Sequence, residues 1–323
     1  MASAIPELAD TGTARLSLIR QAGKDNTVPS TPKWLNLPVT SIGVNEQLES
    51  ADSSVLRPDR QYSNARIMTG SAGGDMPVEA AYGDWMDTLL MGVMQTSNTT
   101  WASAASKYNE STKQYFSLEK FFTADDGDFY QWFKDVQINS LTMQFDANTF
   151  VGTSVNVMGV EVEGPASAVK TGATYVNPDM SDQFDTNSVK VVLKDHAGAV
   201  INGVLESGSL EMNNNLRRQA GVGLFYGVGN ASGRFSCMFN GTFYFADRKI
   251  YEGFKANTKF QIEITITSPA GAIYKGVMKN CKATTYDDQI GGVDSDIMIE
   301  ASFRANADDQ IPARSIEWTK TDA

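Results

Sequence analysis

The chain is written largely in runs of alternating character. From Phe260 to Thr267, Phe260, Ile262, Ile264 and Ile266 alternate with Gln261, Glu263, Thr265 and Thr267, a period of two that puts the apolar set on one face of a strand. The same alternation passes through Leu141, Met143 and Phe145, through Phe239, Phe243 and Phe245, and through Ile297, Ile299 and Phe303. Half-buried antiparallel strands read this way, one face meeting a core and the other water. Turn residues punctuate the runs at Asp125-Asp126-Gly127, Asp195-His196-Ala197-Gly198, Ser268-Pro269-Ala270-Gly271 and Ile290-Gly291-Gly292. One segment has another period: Met86, Leu89, Leu90, Val93 and Met94 form a helical stripe, with Asp84 as the expected N-cap. A weaker helix is expected after Asp247, with Ile250, Tyr251 and Phe254 as its buried side and Gly253 limiting its length.

The two halves align in order. Leu37, Ser41, Ile42, Val44, Asn45 and Leu48 match Leu205, Ser209, Leu210, Met212, Asn213 and Leu216, and the two helices match each other. Phe116, Leu118, Glu119, Gly127, Phe129 and Tyr130 match Phe260, Ile262, Glu263, Gly271, Ile273 and Tyr274, followed by Lys134-Asp135-Val136 against Lys279-Asn280-Cys281. Collinear matches over this length predict a duplicated unit. The expected organisation is a first domain over 11–165, a linker over 166–185, a second domain over 186–307 and a tail over 308–323, with the small-residue, Pro/Gly-bearing stretch from Gly164 to Ala173 suiting a crossing between folded units. Each repeat also carries a long segment without clear pattern, 49–73 and 217–232, of the kind that is usually functional or disordered.

Composition narrows the chemistry. In 323 residues, 41% hydrophobic and 10% aromatic, there is ample material for a core, and Lys plus Arg total 27 against 38 for Asp plus Glu, a formal charge of −11. Such a surface repels phosphate backbones and anionic lipid. Two cysteines, Cys237 and Cys281, and the single His196 leave thiolate–imidazole metal cages out of reach, and the thiols are expected reduced and buried. The N-terminus lacks the basic and apolar regions of a secretory signal, and no run approaches a membrane span, so a cytoplasmic origin is expected. The glycines between Gly221 and Gly229 fit neither a dinucleotide fingerprint nor a P-loop. His196 falls at a hairpin tip. Asp125, Asp126 and Asp128, and Asp287, Asp288, Asp294 and Asp296, lack the spacing of an EF-hand and read as turn residues, while Met76, Met86, Met91 and Met94 read as core filler. No cofactor or metal is expected. A glycosidase-type carboxylate pair leaves no signature in sequence, so a soluble β-sandwich hydrolase or carbohydrate-binding module stands as the alternative class.

Longer motifs point elsewhere. Ala14 to Gly23, then Pro29-Ser-Thr-Pro-Lys-Trp-Leu-Asn-Leu-Pro-Val-Thr-Ser41, Leu48 to Gln61, and Ala72-Gly-Gly-Asp-Met-Pro-Val-Glu79 ahead of the first helix resemble the tail tube (major tail) proteins of long, non-contractile bacteriophage tails. Met212 to Leu216, Gly241-Thr-Phe-Tyr-Phe-Ala-Asp247 and the strands to Ala305 fit the same family. The resemblance implies a mainly β fold, tandem β-sandwich or partial-barrel domains each flanked by one short helix. It implies a structural virion protein, assembled in the bacterial cytoplasm, whose rings stack into a tube that passes DNA without specific binding. It further implies tape measure and tail terminator or tip proteins as partners, and, for a duplicated subunit, trimeric rings. Within that frame Glu119, Glu161, Glu163, Glu263 and Glu300 are the expected lumen-facing carboxylates. Leu56, Arg57, Arg60 and Tyr62, in the long first segment, are the expected ring-to-ring contacts, since apolar anchors and guanidiniums are enriched at interfaces.

Overall fold

A computed structural model describes residues 11–24, 28, 31–54, 65–124, 127–201, 203–293, 295–310 and 312–323. The first half contributes β1 (Arg15–Arg20), β2 (Lys33–Asn36), β3 (Asn45–Asp52), β4 (Ala65–Glu79), helix α1 (Asp84–Val93), β5 (Ser106–Tyr108), β6 (Phe116–Ala124), β7 (Gly127–Asp146), β8 (Gly152–Gly159) and β9 (Glu161–Ala166). Then come β10 (Thr174–Val176), β11 (Val189–Lys194), β12 (Leu205–Asn213), β13 (Arg217–Gln219), β14 (Gly229–Ala231) and β15 (Ser236–Tyr244). Helix α2 (Lys249–Lys255), β16 (Phe260–Thr267), β17 (Ile273–Ile290), β18 (Ile297–Ala305) and β19 (Glu317–Thr321) complete the chain. The fold is mainly β, with large sheets and, among the described residues, no closed barrel.

Two long strands organise it. β7 has 20 residues and β17 has 18, and each takes part in two sheets. Their C-terminal halves belong to one antiparallel sheet of order β3-β4-β8-β7-β12-β15-β18-β17, which runs unbroken through both halves of the chain. Their N-terminal halves belong to flanking sheets, β7 with β6 and β9 and β17 with β16 and β19. The two halves share strand order and also share irregularities. β6–β7 shifts register between Phe116 and Leu118, and β16–β17 between Phe260 and Ile262. β7–β8 shifts between Ile138 and Ser140, and β17–β18 between Ala283 and Thr285. A bulge leaves a residue unpaired and bends its strand, so these paired positions are where each long strand turns from one sheet to the next.

The core lies between the continuous sheet, the flanking sheets and the helices. Leu210 and Met212 on β12 face Met143 and Leu141 on β7, so buried side chains cross from one half to the other without a gap. Met76, Met86, Met91 and Met94 are all buried in it, and so are Cys237 and Cys281, both free thiols.

Several details depart from the sequence expectations. Asp84 is the first helical residue and Gly83 the cap, with no side-chain capping bond. In α2 only Ile250 and Gly253 are buried, while Tyr251 and Phe254 are exposed. The stretch 166–185 carries β10, which pairs in parallel with β2. The stretch 308–323 carries β19, which lies between β17 of the second half and β5 of the first. From β19, Lys320 Nζ donates to Asp87 Oδ2 of α1 at 2.7 Å, and Tyr274 hydroxyl donates to the other oxygen of the same carboxylate. The described parts of 49–73 form a hairpin, Asn45 opposite Gly73 and Asp52 opposite Ala65, rather than an unpatterned loop. Both faces are exposed over much of its length, because it projects beyond the sheet's own core.

Candidate lumen face and assembly edges

The alternation that buries one face of the continuous sheet leaves a polar set on the other. Asp146, Ser207, Thr242, Glu300 and Asp287 lie side by side across five strands, and Gln144, Ser209, Asn240, Ser302 and Thr285 form the next row. These residues line one open groove. Asp75 and Glu211 extend the same face, so its charge is dominated by carboxylates, with the cations Arg304 and Lys282 side by side near its end. Asp287 stands directly opposite Glu300. Like charges opposite one another destabilise a sheet by roughly 0.2–1 kcal/mol, so this pairing is not what folding alone would favour. Glu300→Lys should therefore raise the melting temperature slightly; a drop would show that the carboxylate has an unrecognised favourable contact.

Of the five carboxylates expected to face a lumen, Glu300 alone lies on this face. Glu119 is fully buried and its oxygens accept from Arg15 at 3.0 Å, Trp132 Nε1 at 2.9 Å and Tyr175 hydroxyl at 2.7 Å. The carboxylate joins β1, β6, β7 and β10 and presents no charge to any surface, which removes it from the lumen set. Burial, with Glu119 as hydrogen-bond partner, pushes the Tyr175 hydroxyl well above its usual range. Glu161 and Glu163 sit on β9 with Lys134, and Glu163 also meets Lys170. Glu263 sits on β16 between Lys194 and Lys275. Burial pushes the pKa of Glu163 and Glu263 up, but their lysine partners together outweigh it and hold both below the usual 4.5. A depressed folded-state value means that the stabilisation is present above about pH 4.5 and fades as pH falls through the folded values. Melting temperature should accordingly hold between pH 7 and 5 and decline below about 4.5; a flat profile to pH 3 would refute these pairings.

The proposed ring contacts Leu56, Arg57, Arg60 and Tyr62 lie outside the described residues. What is described is the pairing of the strands before and after them, β3 and β4, on which Leu48, Ile67 and Met68 are exposed. A second hairpin, β13–β14, lies against the first half: Arg218 donates to Thr69 Oγ1 at 2.7 Å and Tyr226 hydroxyl donates to Glu46 at 2.6 Å. The glycine run 221–229 forms its tip, where Val222 and Leu224 are exposed.

The continuous sheet ends in two edges. Among the described residues β3 pairs only with β4, and β17 beyond Lys282 pairs only with β18. Sequence reasoning found the polar alternation but missed Asp75, Asp146, Glu211 and Asp287, because only the ladder registers place them in one field.

His196 is exposed at a turn closed by Asp195, whose carboxylate accepts from the Ala197 and Ala199 amides. Among the described residues no group of three or more His, Cys, Asp or Glu is placed to hold a metal, and no helix is long and apolar enough to cross a membrane. Among the described residues the acidic sheet face lies between two strand edges that have no strand partner. The chain is a member of the phage tail tube protein family, whose model matches residues 11–305. Its role is that of a structural component of the phage tail, one that assembles with itself and with other tail components. No curated protein matched the chain.

Proposed function

We propose that the chain forms trimeric rings that stack into a tube, with the acidic face of the continuous sheet lining the channel through which DNA passes. The observation that carries this reading is the sheet itself: two halves with one strand order present a single polar face and, among the described residues, leave one edge without a strand partner at each end. Open edges are hazards unless covered, and closing them on one another in a ring removes them. Three chains then supply six sheet units. A carboxylate-rich lining suits passage, because DNA affinity grows with each phosphate neutralised and this face offers few cations.

The two-domain division at 11–165 and 186–307 belongs to the same proposal, as do the tape measure and terminator or tip proteins as partners and assembly in the host cytoplasm. The segment 49–73, with Leu56, Arg57, Arg60 and Tyr62, is assigned the contact between rings. Negative-stain microscopy of purified protein should show rings or tubes with a central channel, and native mass spectrometry of rings should give three chains. Six full-length chains per ring would end the trimer reading while leaving the tube.

A further inference from the structure

We propose that the open edge of β17, with the aromatic patch of Tyr251, Phe254 and Tyr286 beside it, is the socket for β3 of a second copy, in the register that sets Asn45 opposite Asp287. This rests on the tube reading above and adds to it the partner strand, the register and the side chains that are covered.

The template is inside the chain. β12, the first strand of the second half's sheet, pairs with β7, the last strand of the first half's sheet. β3 and β17 occupy the same places in their own halves, and among the described residues neither has a strand partner on the corresponding side, where on β3 only the side chain of Lys120 reaches Val44 O at 3.3 Å and Asn45 Oδ1 at 2.6 Å. A head-to-tail contact of this kind repeats indefinitely or closes into a ring.

The register follows from the ladders. Asn45, Gly73, Met158 and Gln137 form one row through the first half. The matching row in the second half, anchored by the shared bulges of β7 and β17, is Glu211, Met238, Arg304 and Lys282. Asn45 therefore corresponds to Glu211. Inside the chain Glu211 faces Thr142, and the bulges equate Thr142 with Asp287. The same shift sets Ile42 opposite Ile290. Matching Asn45 to Asn213, as the sequence alone suggests, would set it opposite Thr285 instead, two residues away.

Burial identifies what is missing. Leu141 and Phe145 on β7 are 0% and 3% exposed, covered where β12 arrives. Their counterparts on β17 are Tyr286, half-buried, and Ile290, 74% exposed. Tyr286 packs on Tyr251 at 5.4 Å and Phe254 at 6.2 Å between ring centroids, an aromatic patch on the α2 side of the sheet. On the other edge Leu48 shares a face with buried Val44 and is itself 50% exposed. In the proposed register it lies diagonal to Tyr286, within reach of a long side chain.

The test is oxidative cross-linking of the full chain during assembly. Asn45→Cys with Asp287→Cys places two thiols on the exposed polar face, away from buried Cys237 and Cys281. This pair should give covalent dimers and higher species at roughly ten-fold the yield of Asn45→Cys with Thr285→Cys, since disulfide geometry tolerates little displacement. Preferential linking through position 285 would overturn the register, and linking from either single variant alone would overturn the head-to-tail contact. Tubes that form normally yet cross-link through neither pair would overturn the socket while leaving the tube. Unsubstituted protein that never forms rings or tubes would instead overturn the underlying reading. As a second measurement, Ile290→Asp, at a side chain 74% exposed in the free chain, should keep the melting temperature and circular dichroism of the original chain and lose tube formation; normal tubes from it would refute the socket.

Discussion

Replacing Trp318 with Ala should cost about 3–5 kcal/mol of folding stability, the range for emptying a large aromatic site in a core. The indole is fully buried, and its ring lies over Gly276, where an added Cβ would meet ring atoms at 3.0 Å. Its Nε1 has no hydrogen-bond partner, so packing rather than polar contact holds it. The loss would reach beyond β19 itself. Lys320, two residues on, meets Asp87 at 2.7 Å in a site where both side chains are nearly buried, and burial is the main cause that raises the Asp87 carboxyl above its ordinary value. Pulling β19 away would leave that carboxylate with Tyr274 as its remaining partner, and an uncompensated buried charge costs several kcal/mol. Urea denaturation followed by tryptophan fluorescence would measure the change. A cost below about 1 kcal/mol would mean that β19 is an appendage, whereas the expected value makes the last residues a clamp between β5 of the first half and β17 of the second.

That clamp was invisible in the sequence for a physical reason. Glu317-Trp-Thr-Lys-Thr is too short to show a period, and a lysine in it reads as solvent-facing unless its buried partner is known. Glu119 misled in the same way. It alternates with Leu118 as an outward residue should, yet β6 is covered on both sides near it, by the core and by Tyr175 of β10. Period two shows which residues share a face and says nothing about what lies over that face. The long alternating strands were legible because their apolar residues meet one core over many positions, and α1 was legible because most of it is buried. α2 was legible as a helix but misread in its packing, since Tyr251 and Phe254 look like core and lie on an open surface. The matching halves could be aligned through their hairpins, but on β3 and β12 the alignment slid by two residues, a shift that alternation cannot detect because it preserves faces.

The same limit kept the acidic sheet face hidden, and its charge gives the largest functional effect to be expected. Changing Asp146, Glu211, Asp287 and Glu300 together to Lys should convert tubes that ignore duplex DNA at physiological salt into tubes that retain it. These four residues come from β7, β12, β17 and β18 and converge on one face only through the registers of the continuous sheet. Each new ammonium within reach of a phosphate releases counterions, and four such contacts predict that affinity falls roughly a hundredfold between 50 and 200 mM salt. Four lysines placed instead on the flanking-sheet surface, at exposed polar positions, would leave DNA outside the channel and reachable by nuclease. Co-sedimentation of tubes with linear DNA across that salt range, with and without nuclease, would read both properties. Protection should accompany retention in the first variant, since DNA held inside the channel is shielded by the wall. Retention without protection would place the acidic face on the outside of the assembly, and DNA binding by the unsubstituted tube would remove the electrostatic account of free passage altogether.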